Sequence, residues 1–186
     1  MWDDGEVMET VDRTRREWWA KYLFVGAAVV VAGVTSMSWP RRGEPMVPVA
    51  ARKTMPMVEL AELDGGTWRL ADHKGQVVLI NYWATWCGPC VEETPGLVRL
   101  AGDTKGLAVV GISMDEGDKG AVKAFVRRMH VGYPIAFPEP MSQMAAGMVG
   151  LPTTILVDRQ GRVAKTYVGE TREGEFRKDV EELLNE

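Results

Sequence analysis

One stretch decides what this chain can fold into: Val77-Val-Leu-Ile-Asn-Tyr-Trp-Ala-Thr-Trp-Cys-Gly-Pro-Cys90. Its apolar run, Val77 to Ile80, reads as a buried strand, and Val91 to Ala101 reads as a helix. A short turn between them ends in two cysteines three positions apart. Cys87 is therefore expected at a helix N-terminus and Cys90 inside the first turn. Pro89 fits that turn because no N–H is needed there. Unpaired backbone N–H groups at a helix start favour the thiolate, and thiol pKa values in such motifs fall to roughly 3.5–7.5, against about 8.5 for a free cysteine. Cys87 is the candidate exposed nucleophile. Cys90, one turn deeper, would resolve the mixed disulfide.

Two plainer readings of the pair are weaker. A structural disulfide closing so short a loop removes little chain entropy. Zinc needs four ligands, and only Cys87, Cys90, His73 and His130 are available, with no second clustered pair. A strand leading into CxxC and then a helix reads instead as a redox motif.

At these residues the chain resembles the thioredoxin superfamily, and more narrowly the TlpA/ResA-like membrane-anchored thiol–disulfide oxidoreductases. The resemblance rests on Trp86-Cys87-Gly88-Pro89-Cys90, on Glu93-Thr94-Pro95, and on Gly150-Leu151-Pro152-Thr153-Thr154. It runs from about Met57 to the end.

The 186 residues suffice for one ordinary domain plus an appendage. A net charge of −4 gives no basic surface for nucleic acid. Residues 1–20 are polar and mixed in charge, and are expected to be a cytoplasmic segment. From Tyr22 to Trp39 no charged residue occurs. With Trp18, Trp19 and Tyr22 on one side and Trp39 on the other, residues 21–39 read as a short transmembrane anchor. A cleaved signal peptide is disfavoured by the long, partly acidic leader. Thr14-Arg15-Arg16-Glu17-Trp18-Trp19 is similar to a twin-arginine export signal, but a basic anchor flank is the plainer reading. Basic residues are near parity on the two sides of the span, so orientation comes from the resemblance, which implies the N-terminus in the cytoplasm. Residues 40–56, with four prolines, read as a stiff extended tether.

Residues 57–186 read as the soluble domain. Val58–Leu63 and Thr67–Leu70 flank Asp64-Gly65-Gly66, a hairpin signal. Further strands are expected at Leu107–Ser113, Tyr133–Phe137, Thr153–Val157 and Arg162–Val168. Helices are expected at Lys119–Met129, Met141–Met148 and Glu173–Leu184. Alternating strands and helices imply an α/β layered fold, and the closing hairpin a mixed central sheet flanked by helices. The resemblance implies a thioredoxin-like fold with an N-terminal β-hairpin.

Glu93 is the sharpest further site residue. At i+3 from Cys90 it shares a helix face with that thiol, whereas Glu92 points elsewhere. A carboxyl held partly buried keeps its proton more readily and could shuttle protons to Cys90. The resemblance also places a functional glutamate at this position. Asn81 stands where ordinary thioredoxins have a buried aspartate. That departure puts the proton task on Glu93, and Asn81 otherwise reads as a hydrogen-bonded strand residue. The resemblance implies that Leu151–Pro152 is a cis-proline loop facing the cysteines and offering its backbone to an extended substrate. Thr153 stands where some cytochrome-maturation relatives have glutamate. Trp86 would flank the nucleophile and contact substrate, while Tyr82 and Trp83 read as core. Met141, Met144 and Met148 read as core packing, with an adaptable substrate face as the alternative. His73 and His130 are given no role.

The resulting expectation is an extracytoplasmic thiol–disulfide oxidoreductase, single-pass in a bacterial cytoplasmic membrane. It would reduce disulfides in protein substrates through Cys87 and Cys90, without a dissociable cofactor or metal. The resemblance implies apocytochrome c as substrate and a membrane thiol transporter of the CcdA/DsbD type as electron donor. A disulfide-forming oxidant or isomerase shares every feature but the potential. A peroxiredoxin-like peroxidase would need Pro-x-x-x-Thr-x-x-Cys, absent before either cysteine. A copper-binding chaperone would resemble proteins with CxxxC and a distal histidine.

Overall fold

The structure is a computed structural model that describes residues 45–117, 119–138 and 150–186. The expected N-terminal segment, the span, the first part of the tether and the helix at Met141–Met148 lie outside these residues. Among the described residues, no helix is long and apolar enough to cross a membrane.

The sheet is built outward from β3, Val77–Trp83. It runs parallel to β4, Leu107–Ser113, and antiparallel to β6, Thr153–Val157. Parallel neighbours cannot be joined by a tight turn. The crossover from β3 to β4 is α1, Gly88–Asp103, which begins straight after Cys87. A second crossover, through α2 at Lys119–Arg128, brings in β5, Ile135–Phe137, parallel to β4. The hairpin of β1, Glu59–Glu62, and β2, Thr67–Arg69, adds to β5 antiparallel. On the other side, β7, Val163–Val168, folds back on β6, and α3, Glu173–Leu184, follows it. The strand order is β2-β1-β5-β4-β3-β6-β7. This is the thioredoxin-like α/β arrangement, with a mixed sheet and an N-terminal hairpin. Gly65 and Gly66 take φ of 92° and 102°, which the hairpin turn requires and other residues resist.

All seven residues of β3 are buried, because the sheet is covered on both faces. Val77 and Leu79 pack with Leu97 and Leu100 of α1 and with Phe176, Val180 and Leu183 of α3. Trp83 continues this face, its ring 4.6 Å from that of Phe125 in α2. Val78, Ile80 and Tyr82 point the other way, into a cluster with Leu60, Trp68, Met55 and Val58. Each large apolar side chain fully buried here contributes about 1.5–3 kcal/mol relative to exposure. The strand thus runs three residues past the apolar run seen in sequence, since Asn81 to Trp83 are as enclosed as Val77 to Ile80. Helix α1 begins at Gly88, three residues before the apolar pattern shows it. It continues through Pro95; the hydroxyl of Thr94 donates to the Cys90 carbonyl at 2.7 Å in that turn.

Residues 45–56 were expected to be tether, yet they are bound to the β6–β7 hairpin. Val47 N–H donates to the Ala164 carbonyl, Val163 N–H to the Lys53 carbonyl, and Met55 N–H to the Gly161 carbonyl. Arg52 is buried. Its guanidinium reaches Asp158 at 3.2 Å, Glu186 at 2.6 and 2.8 Å, and the Val47 carbonyl at 2.9 Å.

Candidate active site

The parallel strands β3 and β4 end side by side, Trp83 opposite Ser113. The turn after β3 leads directly to the cysteines. Cys87 is the N-cap of α1, and its Sγ accepts from Cys90 N–H at 3.3 Å. A sulfur in that position faces the positive end of the helix, which favours negative charge there. Pro89 occupies the first turn as expected. Cys87 and Cys90 are joined by a disulfide, with Cα atoms 5.3 Å apart. Both are enclosed in this oxidised pair: Cys87 is 6% exposed and Cys90 2%. Cys87 is the outer of the two, as its place at the helix start requires, but it is not an open thiol. Trp86 is 71% exposed, and Gly88 and Pro89 between the cysteines are exposed as well.

The Leu151–Pro152 peptide bond is cis, and Leu151 packs against the cluster that contains both cysteines. Leu151 is thus brought beside cysteines 64 and 61 positions away in sequence. The Pro152 carbonyl is taken by Gly169 N–H at 2.8 Å, which ties this loop to the one after β7.

Glu93 lies one turn beyond Cys90 on α1 and is 5% exposed, so it is not a solvated surface glutamate. Its Oε1 accepts from Asn81 Nδ2 at 2.9 Å, and its Oε2 from Thr171 N–H at 2.8 Å. Asn81 Nδ2 donates also to Thr154 Oγ1 at 2.9 Å. Burial pushes the Glu93 carboxyl up to about 7. The two donors from Thr171 and Asn81 pull the other way, and the charge of Glu170 adds a little to the rise. Near neutral pH such a group exists in both forms and can accept or return a proton.

Tyr82 and Trp83 are buried in the core, as expected. His73 stacks on Trp68 and bonds Gln76, remote from this chemistry. Two contributors were not visible in sequence. Thr171 meets Glu93 across 78 positions through a backbone N–H, which no residue type announces. Asp115, just past β4, accepts from both the N–H and the hydroxyl of Thr85, in the turn before Trp86.

A cysteine pair capping the helix after the central strand, with a cis-proline loop against it, defines a thioredoxin-fold dithiol–disulfide exchanger. The chain belongs to the Redoxin family, which it matches over residues 50–184, and within the thioredoxin superfamily it is a TlpA/ResA-like thiol–disulfide oxidoreductase. It is 32% identical over 138 residues to the thiol-disulfide oxidoreductase ResA of Geobacillus thermodenitrificans, covering 73% of this chain and 79% of that one. To ResA of Bacillus thuringiensis it is 35% identical over 121 residues, covering 63% and 69%. Among solved structures, a secreted thiol-disulfide isomerase from Corynebacterium glutamicum superposes with a TM-score of 0.69 at 26% identity, covering 80% of this chain and 96% of that one. A DsbF homologue from Corynebacterium diphtheriae gives 0.68 at 27%, covering 78% and 96%.

Proposed function

We propose that the protein is a membrane-anchored, extracytoplasmic reductant of protein disulfides, with Cys87 as nucleophile, Cys90 as resolving thiol and Glu93 as the proton carrier for Cys90. The observation that carries this reading is the buried Glu93 carboxyl, one turn behind Cys90 and poised near neutral pH. In the reduced protein, the Cys87 thiolate attacks one sulfur of a substrate disulfide and expels the other as a thiolate. Cys90 then gives its proton to Glu93 and attacks Cys87 Sγ, releasing the second substrate sulfur. The substrate gains two electrons and the protein is left with the Cys87–Cys90 disulfide, so no dissociable cofactor is required. Trp86, Leu151 and Pro152 would line the substrate, which adds to the loop as an extended strand.

The relatives named thiol-disulfide oxidoreductase support the exchange chemistry. The uncharged run Tyr22–Trp39 supports the anchor. The haem-binding cysteines of apocytochrome c are the proposed substrate, and a CcdA/DsbD-type transporter the proposed electron donor. An exported reductant must be recharged, because its surroundings favour disulfides.

Thiol alkylation of rapidly quenched cells tests this. Cys87 and Cys90 should be largely reduced in growing cells and become oxidised when the transporter is removed. Cys90→Ala should trap mixed disulfides through Cys87. Glu93→Gln should slow the step that consumes the Cys90 proton about a hundredfold while the fold persists. A pair fully oxidised at steady state would favour a disulfide-forming oxidant instead.

A further inference from the structure

The turn that delivers Cys87 is held from the side by a carboxylate for which the exchange steps above have no use. Strands β3 and β4 end in register, and the ladder runs one bond further, from Met114 N–H to the Trp83 carbonyl at 2.8 Å. This sets Asp115 beside the turn. Its two oxygens accept from Thr85 N–H at 3.2 and 3.0 Å, from the Thr85 hydroxyl, and from the Ser113 hydroxyl at 2.9 Å. Ser113 is fully buried, and its oxygen also accepts from Asp115 N–H at 3.3 Å, which fixes the carboxylate's own position. An ionised carboxylate is an acceptor only, and charge-assisted bonds of this kind are the strong ones. The turn is also closed by its own backbone, Cys87 N–H to the Ala84 carbonyl at 3.2 Å. Between these two ties stands Trp86, exposed, next to the nucleophile.

We propose that Asp115 is a positioning residue for disulfide exchange. By gripping the amide and hydroxyl of Thr85, it aims the Trp86–Cys87 edge at the Leu151–Pro152 loop, and so governs attack on extended protein disulfides. The inference rests on the reading of Cys87 as nucleophile and of the Pro152 loop as substrate seat. A small disulfide needs only to reach Cys87. A peptide must lie against Trp86 and the cis-proline loop while its sulfur lines up with Cys87. Misplacement on the order of 1 Å can cost up to about a hundredfold in rate.

The test compares two oxidants on the reduced full-length protein: a disulfide-bonded peptide and a small aromatic disulfide. Asp115→Ala should slow the peptide reaction about tenfold and the small-disulfide reaction less than about twofold. Asp115→Asn, which keeps one uncharged acceptor, should fall between wild type and Asp115→Ala. Thr85→Val should add little on top of Asp115→Ala, because the two act through one contact. The proposal is overturned if the two oxidants slow in parallel, the signature of a general loss of fold, or if neither slows. Should Asp115→Ala not fold, Asp115→Asn and Thr85→Val carry the same comparison under the same criterion. Cys87→Ala, run alongside, separates the two readings: if it keeps peptide-exchange activity, the exchange mechanism itself fails, whatever Asp115 does.

Discussion

Glu93 and Asp158 are both buried carboxylates, 5% and 2% exposed, and they have opposite proton affinities. Burial pushes both upward. Around Glu93 the only opposition is two neutral donors, Thr171 N–H and Asn81 Nδ2, and the carboxyl settles at about 7. Around Asp158 the donors are the N–H groups of Gln160 at 3.0 Å and Arg162 at 2.9 Å and the guanidinium groups of Arg52 and Arg162, at 3.2 and 2.8 Å. Together they outweigh burial and hold Asp158 below the usual carboxylate range. Enclosure alone therefore does not make a proton carrier. What separates the two sites is that, among the described residues, no salt bridge reaches Glu93. The structural end of the sheet spends its buried acid on an ion pair; the cysteine end keeps its acid free to titrate.

The strongest way to break this contrast is at Asp158. Asp158→Ala leaves the buried Arg52 short of a partner, and removing one member of a buried pair costs about 3–5 kcal/mol. Chemical denaturation should show that loss. Exchange rates measured on the folded fraction should stay within about twofold of wild type. A matching fall in intrinsic exchange rate would mean that the two acids are not separate devices.

The second test reads stability against pH. Glu93 has a folded pKa above its unfolded value of 4.5, so folding favours its protonated form. Its contribution is complete below pH 4.5 and is lost as pH rises through about 7. Relative to Glu93→Gln, which cannot ionise, the wild type should lose on the order of 2–3 kcal/mol between pH 4 and pH 8. Asp158 works in the opposite sense. Its contribution is present above its unfolded value of 3.8 and disappears only as pH falls through its lower folded value. A flat difference between wild type and Glu93→Gln from pH 4 to 8 would remove Glu93 from the set of titrating groups.

The smallest effect is expected at Glu170, which is exposed and whose charge raises the proton affinity of Glu93. Glu170→Gln should move the Glu93 titration, followed by carbon NMR of its carboxyl, to lower pH. Added salt should shrink the difference, since exposed charges are screened. No movement at low salt would assign the rise in Glu93 to burial alone.

Much of this was readable in the chain. The strands at Leu107–Ser113 and Thr153–Val157 and the helix Glu173–Leu184 fall where their patterns put them, because turn residues bound each one. Cys87, Cys90 and Glu93 were legible for a local reason: all three lie within two turns of one helix, where spacing predicts direction. The reach of β3 to Trp83 was less clear, since Asn81 and Tyr82 carry polar groups that only the surrounding layers make tolerable. The partners of Glu93 and of Thr85 could not be read. Asn81 lies in β3, but its bond to Glu93 forms only once the helix packs on the sheet; Thr171 and Asp115 come from loops after distant strands, and Thr171 donates through a backbone amide. The burial of Arg52 was hidden in the same way, because a proline-rich stretch looks identical whether free or docked.

That docked stretch also bears on what the sheet leaves open at one edge. β7 is an outermost strand, and an uncovered edge offers N–H and C=O groups to any other strand that comes near. Residues 47–55 occupy part of that edge through the bonds at Ala164, Val163 and Gly161, and Arg52 anchors them. A soluble version trimmed to start at Met57 would keep every residue of the cysteine site. It would also open a strand edge beside an Asp158 that has lost Arg52 and keeps only Arg162 as its cation, and so trade a clean boundary for a surface that recruits its own copies.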